Sequence, residues 1–403
     1  MIWAITKVCY RTYHVVMKYA IRLLPFPVPR LLTGPGSVRL LAEEIRQRGH
    51  QRVLLVTDRV LMQLGLADGF LESLQRQGVA YVVFDDPQPN PTIENVERGR
   101  ERYQRERCDG IVAFGGGSPI DCAKVIAARV GNPYRSVRGM KGLFKVWLPI
   151  PRLYCVPTTA GTGSETTVAA VITDSISHEK FAINDLRLVP KVAVLDPELM
   201  VGLPPHITAA TGMDALTHAV EAYIGTMGTG FTDRNAERAV QLIFANLEDA
   251  YHNGDNLEAR DNMAMASFCA GSAFTRAYVG YVHALAHSLG GLYGTPHGLA
   301  NAIILPYVLE FCRRGAEVKL AQLARVGGLA TGTESNEALF WRFVDKVKEL
   351  NRTMQIPTCI KELQQQDIPL IARRALKEAH PEYPVPTIMT LQECGELLVR
   401  LLP

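Results

Sequence analysis

Three histidines and one aspartate sit where side chains from separate segments can hold one divalent cation. GMDALTHAVEAY carries Asp214 and His218, and YVHALAHSLGGLYGTPHGLA carries His283, His287 and His297. On a helix, residues four apart share a face, so Asp214 pairs with His218 and His283 with His287. A site of Asp214, His218, His283 and His297 has one anionic and three neutral ligands. Bound to a first-row divalent metal, it can acidify an alcohol oxygen or polarise a carbonyl. His287, one turn beyond His283, is then free to accept or relay the alcohol proton. The ligand types admit Fe²⁺, Zn²⁺, Co²⁺ and Mn²⁺ alike. His206 is left without a role.

A second group of residues suits an anion. GGGSPIDCAK, Gly115 to Lys124, lies where a strand gives way to a helix. Gly115, Gly116 and Gly117 let the backbone approach a diphosphate, and the helix start offers free N–H groups and a positive dipole end. Ser118 adds a hydroxyl. Asp58 closes the first strong strand, where an acid can accept from the adenosine ribose of NAD or merely cap a helix. PTTAGTGSETT, Pro157 to Thr167, packs five threonines, a serine and two glycines into eleven positions, a composition that lines a groove closely.

These groups need a scaffold, and the chain supplies two kinds. From about residue 35, buried strand-like runs (RVLLVTD, AYVVFDD, GIVAFG, RLYCVP, VAAVITD, KVAVLDPEL) alternate with helical patterns, which predicts a parallel α/β sheet. After Leu203 the strand signals stop and only helical periodicity remains. The expected organisation is an extension over 1–28, an α/β domain over 29–203 and an all-helical domain over 204–403. A length of 403 residues suits two cores. With 43 basic and 40 acidic residues, the net charge of +3 argues against nucleic acid as a partner. Eight scattered cysteines with no C-x-x-C pair read as reduced thiols of a cytoplasmic protein.

The extension differs in character. No acid precedes Glu43, and Lys7, Arg11, His14, Lys18 and Arg22 fall on one stripe of a helix whose remaining surface is largely apolar (Ile2, Ile5, Val16, Leu23, Leu24 and the tyrosines). Pro25, Pro27 and Pro29 end it. Two readings stand: a basic amphipathic helix making peripheral contact with a membrane through residues 1–25, at the inner face, or an added helix packing its apolar face on its own domain or a sister subunit.

Together, GGGSPIDCAK, PTTAGTGSE, GMDALTHAVEAY and HALAHSLGGLYGTPHG resemble the iron-containing (group III) alcohol dehydrogenase family from about Leu31 onward. The resemblance implies a dehydroquinate synthase-like fold. It has a Rossmann-like NAD-binding domain, a helical metal domain and an active site in the cleft between them. It implies reversible hydride transfer between a primary alcohol and NAD, with Fe²⁺ (or Zn²⁺) at Asp214, His218, His283 and His297, and His287 near the nicotinamide. It further implies Thr158, Thr159 and Thr162 flanking the cofactor, Lys180 and Asn90 near it, Asp58 favouring NAD, and Phe274 walling the pocket. A homo-oligomer is the family habit, and a hydroxyacid–oxoacid transhydrogenase is the alternative activity. Arg276, Tyr278 and Tyr281 are bulkier than the family pattern. With the extension, they raise the expectation of a medium- or long-chain alcohol.

Overall fold

The computed structural model describes residues 2–177 and 179–403. In chain order the elements are α1 (Ile2–Arg22), β1 (Arg30–Thr33), α2 (Val38–Gln47), β2 (Arg52–Val56), α3 (Arg59–Gln63), α4 (Asp68–Arg76), β3 (Ala80–Phe84), α5 (Ile93–Arg105), β4 (Gly110–Gly115), α6 (Gly117–Gly131), β5 (Gly142–Leu143), β6 (Arg152–Pro157), β7 (Ala169–Thr173), β8 (Lys180–Asn184) and β9 (Val192–Leu195). The helices α7 (Pro205–Ile224), α8 (Gly230–His252), α9 (Leu257–Ala277), α10 (Tyr281–Tyr293), α11 (His297–Val326), α12 (Asn336–Thr353), α13 (Ile368–Ala379) and α14 (Leu391–Val399) follow. Two compact units form: Phe26–Leu203 with Asp255–Ala264, and Met1–Pro25 with Pro204–Gly254 and Met265–Pro403.

In the α/β unit a six-stranded sheet runs β1-β9-β6-β4-β2-β3, every pairing parallel. Its central strands read as continuous apolar runs because both faces are covered. Along β2, Leu54 and Val56 enter one core with Ile111 and Ala113 of β4, whereas Val53 and Leu55 enter the other with Val112 and Phe114. The VAAVITD run does not join this sheet. It forms β7, antiparallel to β8, in a small separate sheet with β5. β4 lies at the centre with β6 and β2 as neighbours, so the chain ends that follow these three strands emerge side by side.

The helical unit is organised around α7, which is buried along most of its length and packs against α8 and α11. A helix apolar on all sides belongs in a core. Two glycines set close approaches here. A Cβ on Gly298 would meet the Ala210 carbonyl oxygen at 2.4 Å, and one on Gly280 would meet Glu221 Oε1 at 2.7 Å. They let the starts of α11 and α10 close on α7.

The extension belongs to the helical unit, and the middle of its basic stripe, Arg11, His14 and Lys18, faces inward while Lys7 and Arg22 stay exposed. The Arg11 guanidinium donates to the carbonyls of Val385 and Pro386, His14 Nε2 to that of Pro381, and Lys18 Nζ to that of Thr226. The apolar residues Ile5, Val8, Val15, Val16, Tyr19 and Leu23 are the exposed ones, at 55–86%. The added helix thus packs on its own unit with Tyr10, Tyr13 and Leu24 half-buried, but Arg11, His14 and Lys18 share the contact and much of the apolar side is left outward. The reason is that α1 docks on a segment rich in unpaired carbonyls, which demand donors rather than methyl groups. The side chain of Ile2, part of the expected stripe, lies outside the described residues. Among the described residues no helix is long and apolar enough to cross a membrane. All eight cysteines are free thiols.

Candidate metal centre and anion cradle

The metal group is built from three helical pairs, each four residues apart. Asp214 and His218 lie on α7, His283 and His287 on α10, and His297 opens α11 with Asn301 one turn later. The ligand atoms of Asp214, His218, His283 and His297 all lie within 4.8 Å of one another. His283 Nε2 and His297 Nε2 stand 3.8 and 3.6 Å from Asp214 Oδ1. Asp214, His218 and His283 are buried, while the His297 side chain is 40% exposed.

The donor set fits a divalent cation. Acceptors from three helices converge there, and the Asn301 amide meets three of them: Nδ2 lies 2.7 Å from Asp214 Oδ1 and 3.2 Å from both His283 Nε2 and His297 Nε2. A set of lone pairs aimed at one point is what a cation requires. His283 is held for that role. Its Nδ1–H donates to Glu221 Oε2 at 2.6 Å, which leaves Nε2 as the lone-pair nitrogen. Burial, reinforced by the neighbouring histidines, lowers the His283 pKa well below its ordinary value and keeps the ring neutral. Glu221 also accepts from the backbone N–H of Gly280 and of Val282. Burial nevertheless pushes its pKa up to about 7 against those donors.

His287 stacks on His297 with centroids 5.1 Å apart, and its Nδ1 donates to Glu378 Oε1 at 2.7 Å. Burial opposes ionisation of Glu378, but the facing His287 and the Tyr383 hydroxyl hold its pKa below the ordinary value. Phe274 stacks on the His218 ring at 4.1 Å and 13°. His206 is exposed in the first turn of α7. Of the three bulky residues before His283, Tyr281 is not pocket surface. It is buried in the helical core with its hydroxyl bound to His380 Nε2 and to the Met389 N–H. Arg276 lies over the Phe231 ring.

The cradle forms within the α/β unit, where β4 meets α6. Gly115 adopts φ +147°, and a Cβ there would meet Pro119 Cγ at 2.8 Å, so glycine is required on both counts. Gly116 opens α6 without a side-chain cap, leaving the first N–H groups for an anion. The Pro157–Thr167 loop closes over it. Thr158 N–H donates to the Gly115 carbonyl, and ideal Cβ positions on Gly116 and Gly117 fall 3.5 Å from Thr159 Oγ1 and 2.9 Å from Thr162 Cγ2. From either side in the chain, Asn90 N–H donates to Ser118 Oγ, and Lys180 Nζ donates to Asn90 Oδ1 at 2.8 Å. Asp58 lies just after β2, and its Oδ1 caps α3 by accepting from Leu61 N–H.

Sequence reasoning missed the residues that hold these groups in place. Glu221 and Asn301 had a usable signal: each lies a helical turn from a ligand, at His218 plus three and His297 plus four. Glu378 and Tyr383 had none, being about 90 residues from His287. Asp121 and Lys124 stood inside the quoted glycine motif. Asp121 accepts from Ser164 Oγ and Val171 N–H, and the fully buried Lys124 ammonium donates to Thr167 O, Thr167 Oγ1 and Ala169 O. They tie α6 to the threonine loop.

The chain matches the family model "Iron-containing alcohol dehydrogenase" over residues 28–197 and "Fe-containing alcohol dehydrogenase family, C-terminal" over 208–402. It belongs to the iron-containing alcohol dehydrogenase family. It is 41% identical over 350 residues to alcohol dehydrogenase 4 of Schizosaccharomyces pombe, covering 86% of this chain and 82% of that one. The NAD-dependent methanol dehydrogenase of Bacillus methanolicus is 35% identical over 375 residues, 93% and 98% of the two chains. A crystal structure of 1,3-propanediol oxidoreductase superposes with a TM-score of 0.91 at 38% identity, covering 94% of this chain and all of that one. The family match begins at residue 28, so α1 lies outside it.

Proposed function

We propose that this chain oxidises primary alcohols, and reduces the corresponding aldehydes, with NAD as the redox partner and Fe²⁺ or Zn²⁺ at Asp214, His218, His283 and His297. The convergence of those four ligand sets, with Glu221 behind His283, carries the reading. When bound, the ion supplies Lewis acidity at the alcohol oxygen and NAD supplies the oxidant. With Nδ1–H held by Glu378, His287 presents Nε2 as acceptor for the alcohol proton and passes it to solvent. Phe274 fixes the His218 ring and walls the substrate side.

Within residues 29–203, Gly115, Gly116, Gly117 and Ser118 take the diphosphate, flanked by Thr158, Thr159 and Thr162. Lys180 and Asn90 act together near the nicotinamide ribose, supported by their hydrogen bond. Asp58 keeps Oδ2 for the adenosine ribose. Residues 204–403 hold the metal.

The enzyme works in the cytoplasm as a homo-oligomer on alcohols of medium or long chain. Peripheral contact with an anionic membrane runs through the outward apolar stripe of α1, flanked by exposed Lys7 and Arg22. The activity is tested by NADH formation from ethanol to dodecanol, anaerobically, on metal-free protein reloaded with Fe²⁺ or Zn²⁺. Metal-dependent NADH rising with chain length supports it, and no NADH from any alcohol rejects it. For the stripe, unchanged cosedimentation of a Val15→Ser, Tyr19→Ser, Leu23→Ser variant with anionic vesicles rejects membrane contact.

A further inference from the structure

The link between α13 and α14 begins His380-Pro381-Glu382-Tyr383-Pro384-Val385-Pro386. Its three prolines carry no N–H, so the segment cannot be tied into a backbone ladder, and its carbonyls need outside donors. Thr226 N–H serves the Pro384 carbonyl at 2.7 Å. Helix α1 serves three more: Arg11 reaches Val385 and Pro386 with two 2.6 Å bonds, and His14 reaches Pro381 at 2.8 Å. Lys18 reinforces the arrangement by donating to the carbonyl of Thr226 itself.

The pinned segment is the one that sets His287. Tyr383 Oη donates to Glu378 Oε1 at 2.6 Å, and the same oxygen accepts from His287 Nδ1 at 2.7 Å. A second route passes through His380, whose ring lies 5.1 Å from that of Tyr10 and whose Nε2 bonds the hydroxyl of Tyr281 at the start of α10, the helix that carries His287.

We propose that α1 braces His287: Arg11 and His14 are positioning residues that hold the proline-rich segment so that Tyr383 and Glu378 fix the orientation of the imidazole. The inference rests on the proposed proton-transfer role of His287. It explains why Arg11 and His14 face inward, and it assigns a catalytic consequence to a helix that lies outside the family match.

The test is a double-mutant cycle with a structural readout, on the full-length, metal-loaded protein. Arg11→Ala is expected to lower kcat about tenfold while the KM for NAD and the metal content hold within twofold. Arg11→Lys, whose ammonium still reaches a carbonyl, recovers most of the loss. In a Glu378→Gln background, Arg11→Ala adds nothing further, because the two substitutions break one chain of contacts. Hydrogen exchange of the 378–389 peptide accelerates in Arg11→Ala and stays at wild-type rates in Thr12→Ala. Independent, multiplying losses of kcat in the double variant, or unchanged exchange in Arg11→Ala, overturns the proposal. Should wild-type protein oxidise no alcohol, the proposed activity fails, and hydrogen exchange alone then decides the brace.

Discussion

The metal centre and the anion cradle solve opposite problems with opposite materials. The proposed cation site is made of titratable side chains on long buried helices, each candidate ligand sitting one turn from a partner. The proposed anion site is made of backbone, with side chains kept small so that the chain can come close. At the metal centre, orientation depends on single side chains such as Glu221, which no backbone group can replace. At the cradle, orientation is intrinsic to the turn after β4, and the hazard is an added methyl group rather than a lost carboxylate. Buried polar side chains support both, with Asn301 and Glu221 behind one and Asp121 and Lys124 behind the other.

This contrast can be broken in three places. Glu221→Gln leaves one acceptor oxygen for three N–H donors and sets an amide NH2 against the others, which loosens His283 and is expected to weaken metal affinity roughly 10–100-fold while NAD binding is unchanged. Chelator competition alongside NAD titration checks it, and a parallel loss of NAD affinity would erase the distinction. Gly117→Val drives a side chain into Thr162 and is expected to weaken NAD about tenfold, the effect of about 1–3 kcal/mol of overpacking, with metal content intact. Calorimetric NAD titration against metal analysis reads both. The smallest expected effect sharpens the role of Asp58. Asparagine caps a helix as well as aspartate, so Asp58→Asn should leave stability within a few tenths of a kcal/mol. If the charge also repels the extra phosphate of NADP, the same variant gains NADP turnover relative to NAD. An unchanged melting temperature with no change in cofactor preference would reduce Asp58 to a cap.

Much of this was legible because helical geometry is local. The pairs Asp214/His218 and His283/His287 are spaced by the pitch of the helix, so their shared faces follow from counting. The alternation of strands and helices announced a parallel sheet by the same logic. Locality is also where the reading stopped. Asn90, Ser118 and Lys180 meet across 90 residues of chain, and nothing in their spacing says so; the glycine motif pointed to Ser118, but only the family resemblance pointed to Asn90 and Lys180. The strand-like run at 168–174 was legible as a strand, but its pairing in a separate small sheet was not, since periodicity carries no information about partners.

By itself the sequence determined the helix and strand periods, the glycine positions and the inventory of ligating groups, because these depend on residue type and near neighbours. The tertiary structure alone decided which way α1 turned. A stripe of Lys, Arg and His normally faces water, and the sequence held no sign that a triple-proline segment some 370 residues away would leave carbonyls in need of those donors. Desolvating a charged side chain is favourable only where hydrogen-bond partners await it, and where such partners lie is a property of the folded chain.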